Sequence, residues 1–485
     1  MRRVFIMLVL VAGFLQLANS QDNTHQVYSA GQLKADYQLA VSALREAHPG
    51  LYRYITKADW DKLAGRLEKQ LDQPMDQAAF YKTVFPLITA IRCGHTKFYP
   101  AGSDTDKYPY KKTGLLPIKL FFREQKAYLW YAYTNNPGIQ SGTEILSING
   151  QSIASLLSQL SAFIPADGTT RTSLNAELNQ FFNAYYSTFI DASSRFTITH
   201  RSNGKTKSLS VDGVSLETIL AKDRSMENPG QSFMELTIPA STTAVLTVRS
   251  FYPDGGIDEF TKMTDSMFQA IRQKGVTNLV VDLRDNEGGI EEAGGYLCRN
   301  LLTKPFTYYK KVNVATNKEF SFRAHAWLPP QYDEARALIV EKDGEYLWPL
   351  QQYLAEQSPA ENVFRGNIYV LLNGRSFSVT SELAAVLKQD KRIRMLGEET
   401  GGAYNADNSG VFTVLTLPNT KMVVGIPLMA YHMNIPANKQ TGGVHPDTEV
   451  KPGIKDLLDS RDPVMETTMR LIKQQHAGSS GHAAD

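Results

Sequence analysis

From about residue 230 onward, short unbroken apolar runs alternate with amphipathic stretches, and that alternation leaves few folds open. Ala244 to Val248 reads as an apolar strand, Ile257 to Lys274 as an amphipathic helix, and Asn278-Leu279-Val280-Val281 as a strand with no polar side. A helix from Glu291 to Leu302, a strand from Ile368 to Leu372, a helix from Val379 to Lys388 and a strand from Ile393 to Leu396 continue the series, and two strands close it at Val411 to Leu417 and Lys421 to Ile426. A strand without alternation is covered on both faces, so repeated strand–helix units imply a mostly parallel sheet wrapped by helices. We therefore expect an α/β core over residues 230–472, with its chemical loops at the carboxyl ends of the strands.

Two other regions read differently. Within residues 21–105, apolar positions recur at three- and four-residue steps in Leu33-Tyr37-Leu39-Ala40-Leu44 and Trp60-Leu63-Leu67-Leu71, broken by His48-Pro49-Gly50. This is a helical module, with Asp76 as the cap of a further helix running to Ile91. Residues 110–215 carry short strand-like runs at Leu115 to Phe122, Ala127 to Tyr133 and Thr143 to Ile148, then a helix from Ile153, then strands at Arg195 to His200 and Ser208 to Val211. This is a small β-rich module. Residues 473–485, with His476-Ala-Gly-Ser-Ser-Gly, read as a disordered tail.

The first twenty residues predict a destination. Arg2 and Arg3 precede an apolar run from Val4 to Leu17, and Ala18-Asn19-Ser20 offers the small residues of a cleavage site. The run is shorter than the roughly 18 residues a membrane span needs, so residues 1–20 are expected to be a removed signal peptide. That predicts a protein of the periplasm or the exterior, with no membrane contact after cleavage. The 51 Lys and Arg nearly balance the 49 Asp and Glu, and setting Arg2 and Arg3 aside makes the balance even. An even balance carries no electrostatic footprint for nucleic acid. The two cysteines, Cys93 and Cys298, can pair in such a compartment or stand as buried thiols; spacing alone does not decide. No CxxC or HExxH spacing appears, so no metal or cofactor is expected.

Three segments look chemical. Asp282-Leu283-Arg284-Asp285-Asn286-Glu287-Gly288-Gly289 leaves a buried strand and enters a helix, where paired glycines can expose N–H groups to an anion. By composition alone a tight turn is the plainer reading. Asn373-Gly374-Arg375-Ser376-Phe377-Ser378-Val379 makes a second strand-to-helix turn. A plain helix cap is the commoner role for such a serine, and Ser376 and Ser381 rival Ser378 as nucleophile. In Cys93-Gly94-His95-Thr96, His95 stands in a loop between the helical and β-rich modules, and a near-neutral imidazole is the usual activator of a serine hydroxyl. Any single His is more often a surface or satisfied residue.

In this order the segments resemble the carboxyl-terminal processing (tail-specific) proteases and their tricorn-type, His-based relatives. Gly397-Glu398-Glu399-Thr400-Gly401-Gly402 is similar to the loop after that family's next strand, and Gly142-Thr143-Glu144-Ile145-Leu146-Ser147-Ile148-Asn149-Gly150 looks like its carboxylate-binding PDZ-like module. The resemblance implies a ClpP/crotonase-like βα core with a PDZ-like module over 110–215. The lysine-based branch needs a Lys just past the Gly-Glu-x-Thr loop, and Gly402-Ala403-Tyr404-Asn405-Ala406-Asp407 has none. By resemblance, then, Ser378 is the nucleophile and His95 its base, while the N–H groups of Gly288 or Gly289 and of Val379 form an oxyanion hole. Cys93 departs from the acidic residue common before Gly-His. Glu399 is the first choice to orient His95, ahead of Asp407 and the Asp447/Glu449 pair.

The function expected is an exported serine peptidase acting on peptides or unstructured protein tails. The rivals are an inactive PDZ-like binding protein, a hydrolase of non-peptide esters or amides on the same fold, and, last, a crotonase-like acyl-CoA enzyme.

Overall fold

The computed structural model describes residues 26–100, 107–134, 138–226 and 230–480. The segment expected to be a signal peptide, residues 1–20, lies outside the described residues. Among the described residues no helix is long and apolar enough to cross a membrane.

The core is a six-stranded sheet in the order Met234–Ala240, Thr243–Val248, Asn278–Asp282, Asn367–Leu372, Ile393–Gly397 and Thr448–Glu449. All neighbours run parallel except the first pair, whose edge strand is antiparallel. The unbroken apolar runs serve two faces at once. Leu279, Val281, Ile368 and Val370 belong to the main apolar core, while Val280, Tyr369 and Leu371 point the other way, onto Val464 and Ile472 of the helix Pro463–Ser480. That docking corrects the expected tail. Ile472 is buried against the sheet, Tyr369 Oη donates to Gln475, and the chain stays helical to Ser480; residues 481–485 lie outside the described residues.

A second, antiparallel sheet is built on a long hairpin, Ala406–Thr416 with Val423–Met433. The short strand Lys97–Tyr99 pairs with this hairpin at Val423 to Gly425. The helices Ala30–Ala47, Lys57–Glu68 and Gln77–Ala90 precede that strand. The fully buried Asp36 of the first helix braces the hairpin's turn: its carboxylate accepts from Asn419 N, from Thr420 N at 2.6 Å and from Thr420 Oγ1 at 2.7 Å. Hydrogen bonds to a charged group contribute about 1.5–3 kcal/mol each, so this brace is a strong one.

A third sheet orders the antiparallel strands Ile118–Arg123, Lys126–Ala132, Glu144–Ile148, Arg195–Ser202 and Lys205–Asp212. Its contacts with the core include two polar links. Arg123 pairs with Glu398 and donates to Pro452 O at 2.8 Å, and the segment 167–170 threads between the core's loops, with Thr169 N donating to Thr441 O at 2.9 Å. Sequence periodicity gave no helix at Thr172–Tyr185, which is half-buried around and kinked at Phe181. Cys93 and Cys298 are both buried free thiols.

Candidate active site

Two carboxyl-end loops of the parallel sheet meet edge to edge. The loop after Asn278–Asp282 runs through Gly288 and Gly289, and the loop after Asn367–Leu372 runs through Ser378 into the helix Val379–Leu387. Phe377 N donates to Asn286 O at 3.1 Å, Asp285 and Asn373 exchange two bonds of 3.0 Å, and Arg375 pairs with Glu287 at 3.0 Å. A Cβ on Gly288 would stand 2.8 Å from Ser378 Cβ, and one on Gly289 would stand 2.4 Å from the carbonyl carbon of Phe251. Glycine is required there because two backbones pass in contact.

Ser378 sits at φ +55°, ψ −131°, a conformation that costs a non-glycine residue of order 1–3 kcal/mol. Its neighbours hold it there, and its hydroxyl caps no helical N–H. The plain-cap reading therefore fails for Ser378, and its rivals are occupied. Ser376 Oγ donates to Leu283 O at 2.9 Å and accepts from Asn373 N; Ser381 Oγ donates to Ser376 O at 2.7 Å and accepts from Gly402 N. Ser378 Oγ instead lies 3.1 Å from His95 Nε2.

His95 arrives on the turn between the helix Gln77–Ala90 and the strand Lys97–Tyr99, so the antiparallel sheet fixes its approach. Its ring stacks on Phe377 with centroids 4.5 Å apart. A Cβ on Gly94 would strike that phenyl ring at 2.8 Å, which explains the glycine beside the histidine. Asp167 binds Gly94 N at 2.7 Å and Ala403 N at 3.3 Å, tying the histidine loop to the segment beyond the nucleophile.

The group facing His95 Nδ1 is Asp407, with Oδ1 at 3.1 Å. The pair is close, but neither Nδ1 nor either oxygen of Asp407 makes a well-aligned hydrogen bond; such bonds tighten when substrate closes a site. Glu399, the first expectation for this role, is elsewhere. Gly397 at φ +112° swings the chain over Leu372, and Glu399 then accepts from Gly443 N at 2.9 Å beside His445. Asp447 is held by Met395 N and Lys388, and Glu449 by Lys451. Asp407 was among the weaker candidates because nothing local marks it; it faces the histidine only through the hairpin's fold.

The electrostatics follow from burial and crowding. Burial disfavours the imidazolium, but the charge and contact of Asp407 outweigh it and hold His95 well above its ordinary pKa. Burial likewise opposes ionisation of Asp407, and His95 overrides it, keeping the carboxylate below its usual range. Three further buried acids shift the other way. Burial first, then Asp407, raises Glu382 well above normal and pushes Asp167 up to about 7, and burial pushes Glu291 up to about 7. Like charges this close do not all ionise, so the negative charge beside His95 rests on Asp407.

Ser378 and His95 open on a cavity of about 910 Å³, walled by Tyr81, Phe85, Phe98, Tyr185, Phe189 and Phe412 and bordered by Gly288, Gly289 and Val379. Gly288 N–H is used internally, on Asn286 Oδ1 at 2.9 Å. Among the described residues, Gly289 N–H and Val379 N–H have no hydrogen-bond partner, so of the three expected oxyanion donors these two are available. A hydroxyl, an imidazole and two free N–H groups in one cleft, with a buried carboxylate behind the imidazole, suit nucleophilic acyl transfer.

Residues 242–450 match the family model described as peptidase family S41. No curated protein matches the chain. Among solved structures, mature CPAF is similar with a TM-score of 0.60 at 14% identity, over 88% of this chain and 94% of that one. Mature CPAF complexed with lactacystin gives the same score and identity, over 88% and 95%. At that identity the likeness bears on the fold alone. The photosystem II D1 C-terminal processing protease aligns at 15% identity over 87% of this chain and 93% of that one, with a TM-score of 0.42.

Proposed function

We propose that this chain is a serine-type peptidase, as its match to the peptidase family S41 model over residues 242–450 supports, and that Ser378, His95 and Asp407 cleave peptide bonds through an acyl-enzyme. The observation that carries the reading is the alignment of Ser378 Oγ, His95 and Asp407, each step 3.1 Å, beside two unengaged N–H groups.

His95 Nε2 takes the hydroxyl proton as Ser378 Oγ attacks the scissile carbonyl. The developing oxyanion lies between Val379 N–H and Gly289 N–H, donors of a kind worth about 10²–10³ in rate each. Asp407 stabilises the imidazolium that forms, and His95 then delivers its proton to the leaving amine. Water, activated by the same imidazole, releases the acyl group from Ser378.

The substrate class we infer is a peptide or an unstructured protein tail. An extended chain fits an open cleft, and the aromatic walls favour an apolar side chain next to the scissile bond. We further read the sheet Ile118–Asp212 as PDZ-like, presenting a chain end to the cleft, and residues 1–20 as an export signal that sends the enzyme to the periplasm or beyond.

A fluorophosphonate probe tests the chemistry. The folded wild type should label, and Ser378→Ala and His95→Ala should not. Labelling that survives Ser378→Ala would reject Ser378 as the nucleophile.

A further inference from the structure

Cys93, His95 and Asp167 each offer one ligand atom, and these atoms lie within 4.8 Å of one another. Two of the three are closed off from solvent: Cys93 is 1% exposed and Asp167 4%. His95 alone borders the cavity. Its Nε2 faces Ser378, so the nitrogen left for this cluster is Nδ1, which has no well-aligned partner; neither oxygen of the 4%-exposed Asp407, 3.1 Å from that nitrogen, has one either. His48 adjoins the thiol but is committed, with Nε2 on Thr96 Oγ1 and Nδ1 accepting from Gly50 N.

A thiol, an imidazole and a carboxylate form the donor set that selects a borderline-soft, tetrahedral cation over magnesium or calcium. With bonds of about 2.0–2.3 Å, the ligand atoms of such a site stand roughly 3.3–3.8 Å apart. The atoms must therefore draw in from 4.8 Å, against the bonds that Asp167 accepts from Gly94 N and Ala403 N and the 3.7 Å contact of Cys93 Sγ with Asn408 O, and His95 is the member that borders the cavity.

We propose that Cys93, His95 Nδ1 and Asp167 form an inhibitory site for a thiophilic divalent cation of the zinc type. The inference rests on His95 being the base. Binding releases the thiol proton and any proton on Nδ1 or on the Asp167 carboxyl to solvent. It replaces the contact between Asp407 and Nδ1 with a metal bond, and a dication on the imidazole makes Nε2 too weak a base to take the hydroxyl proton of Ser378. The sequence hides this site because Asp167 joins Cys93 and His95 from another module.

The test is titration of the full-length folded protein with Co²⁺, followed by absorption, and with Zn²⁺ against a chromogenic chelator. One equivalent should bind with a thiolate-to-metal charge-transfer band, and Zn²⁺ should inhibit peptide cleavage reversibly by EDTA. Cys93→Ala and Cys93→Ser should abolish the band and weaken binding on the order of 100-fold or more, since one of three protein ligands is lost. Asp167→Asn should weaken it less, and Cys298→Ala should change nothing. Ser378→Ala should keep the band, so metal binding is read even if the peptidase chemistry is misassigned. Failure of the wild type to bind one equivalent, or a band that survives in Cys93→Ala, overturns the site. Equal Zn²⁺ inhibition of wild type and Cys93→Ser overturns its inhibitory role.

Discussion

The two halves of this site are held by opposite means. Around Ser378 the fixing is done by backbone: glycines in contact with neighbouring chain, Phe377 N on Asn286 O, a strained φ of +55° over-determined by its surroundings. Around His95 it is done by side chains from distant segments: Phe377 under the ring, Asp407 behind it, Asp167 on the preceding amide. Backbone fixing sets a position and tolerates little. Side-chain fixing sets an orientation and a charge, and can be altered one group at a time. The nucleophile half should therefore fail completely when disturbed, and the base half should fail by degrees.

The sharpest form of that difference lies within the nucleophile turn itself. Ser378→Ala should lower kcat on the order of 10⁶-fold without changing thermal stability downward, because the strained serine makes no structural bond. Ser376→Ala should do the reverse. It removes a buried hydroxyl bonded at both ends, so it should destabilise by about 1–3 kcal/mol with catalysis largely kept. Paired unfolding and steady-state assays read both. Comparable catalytic losses from the two variants would break the distinction.

On the base side, Asp407→Asn should cost on the order of 10³–10⁴-fold in kcat, with the fold intact. Glu399→Gln should cost less than about tenfold, since its carboxylate serves Gly443 N. This pair also marks what could be read in advance. The parallel sheet, the nucleophile turn and the glycine loop were legible because each is written in one stretch of chain: an unbroken apolar strand, then small residues, then a helix. His95 was legible only through the order of motifs. Its orienter was not, because Asp407 reaches Nδ1 through a hairpin register that links residues 406–416 to 423–433 and then to 97–99. Glu399 stood in the more conspicuous loop, and one positive-φ glycine at 397 turned that loop away. Asp167 gave no local signal at all; Ala166-Asp167-Gly168-Thr169 reads as an ordinary turn.

An intermediate disturbance should give an intermediate effect. In Gly288→Ala the new methyl would meet Ser378 Cβ at 2.8 Å on a backbone at φ +99°. Displacing the nucleophile by a fraction of an ångström should reduce kcat roughly 10²-fold with KM little changed. Gly94→Ala places its methyl 2.8 Å from the ring edge of Phe377 instead, a side chain and not a backbone neighbour, and the loss should be smaller.

The mildest perturbation is pH, and its clearest reading is through the base half. Only neutral His95 can accept the hydroxyl proton, so kcat/KM should rise with pH, about tenfold per unit below the folded pKa of His95 and level above it. Because Asp407 outweighs burial, that midpoint should stand above the ordinary value of 6.5. Stability runs the other way. A histidine whose pKa is raised on folding adds stability that is whole below its unfolded pKa and fades as pH climbs through the folded one. Activity should thus appear over the same interval in which the His95–Asp407 pair gives up its stabilisation. Asp407→Asn removes the charge that raises His95, so its activity limb should move to lower pH even as its plateau falls. A limb that stays put in Asp407→Asn would mean that the base is held by its stacking on Phe377 and by the Asp167-anchored loop, and that the carboxylate behind it sets no charge.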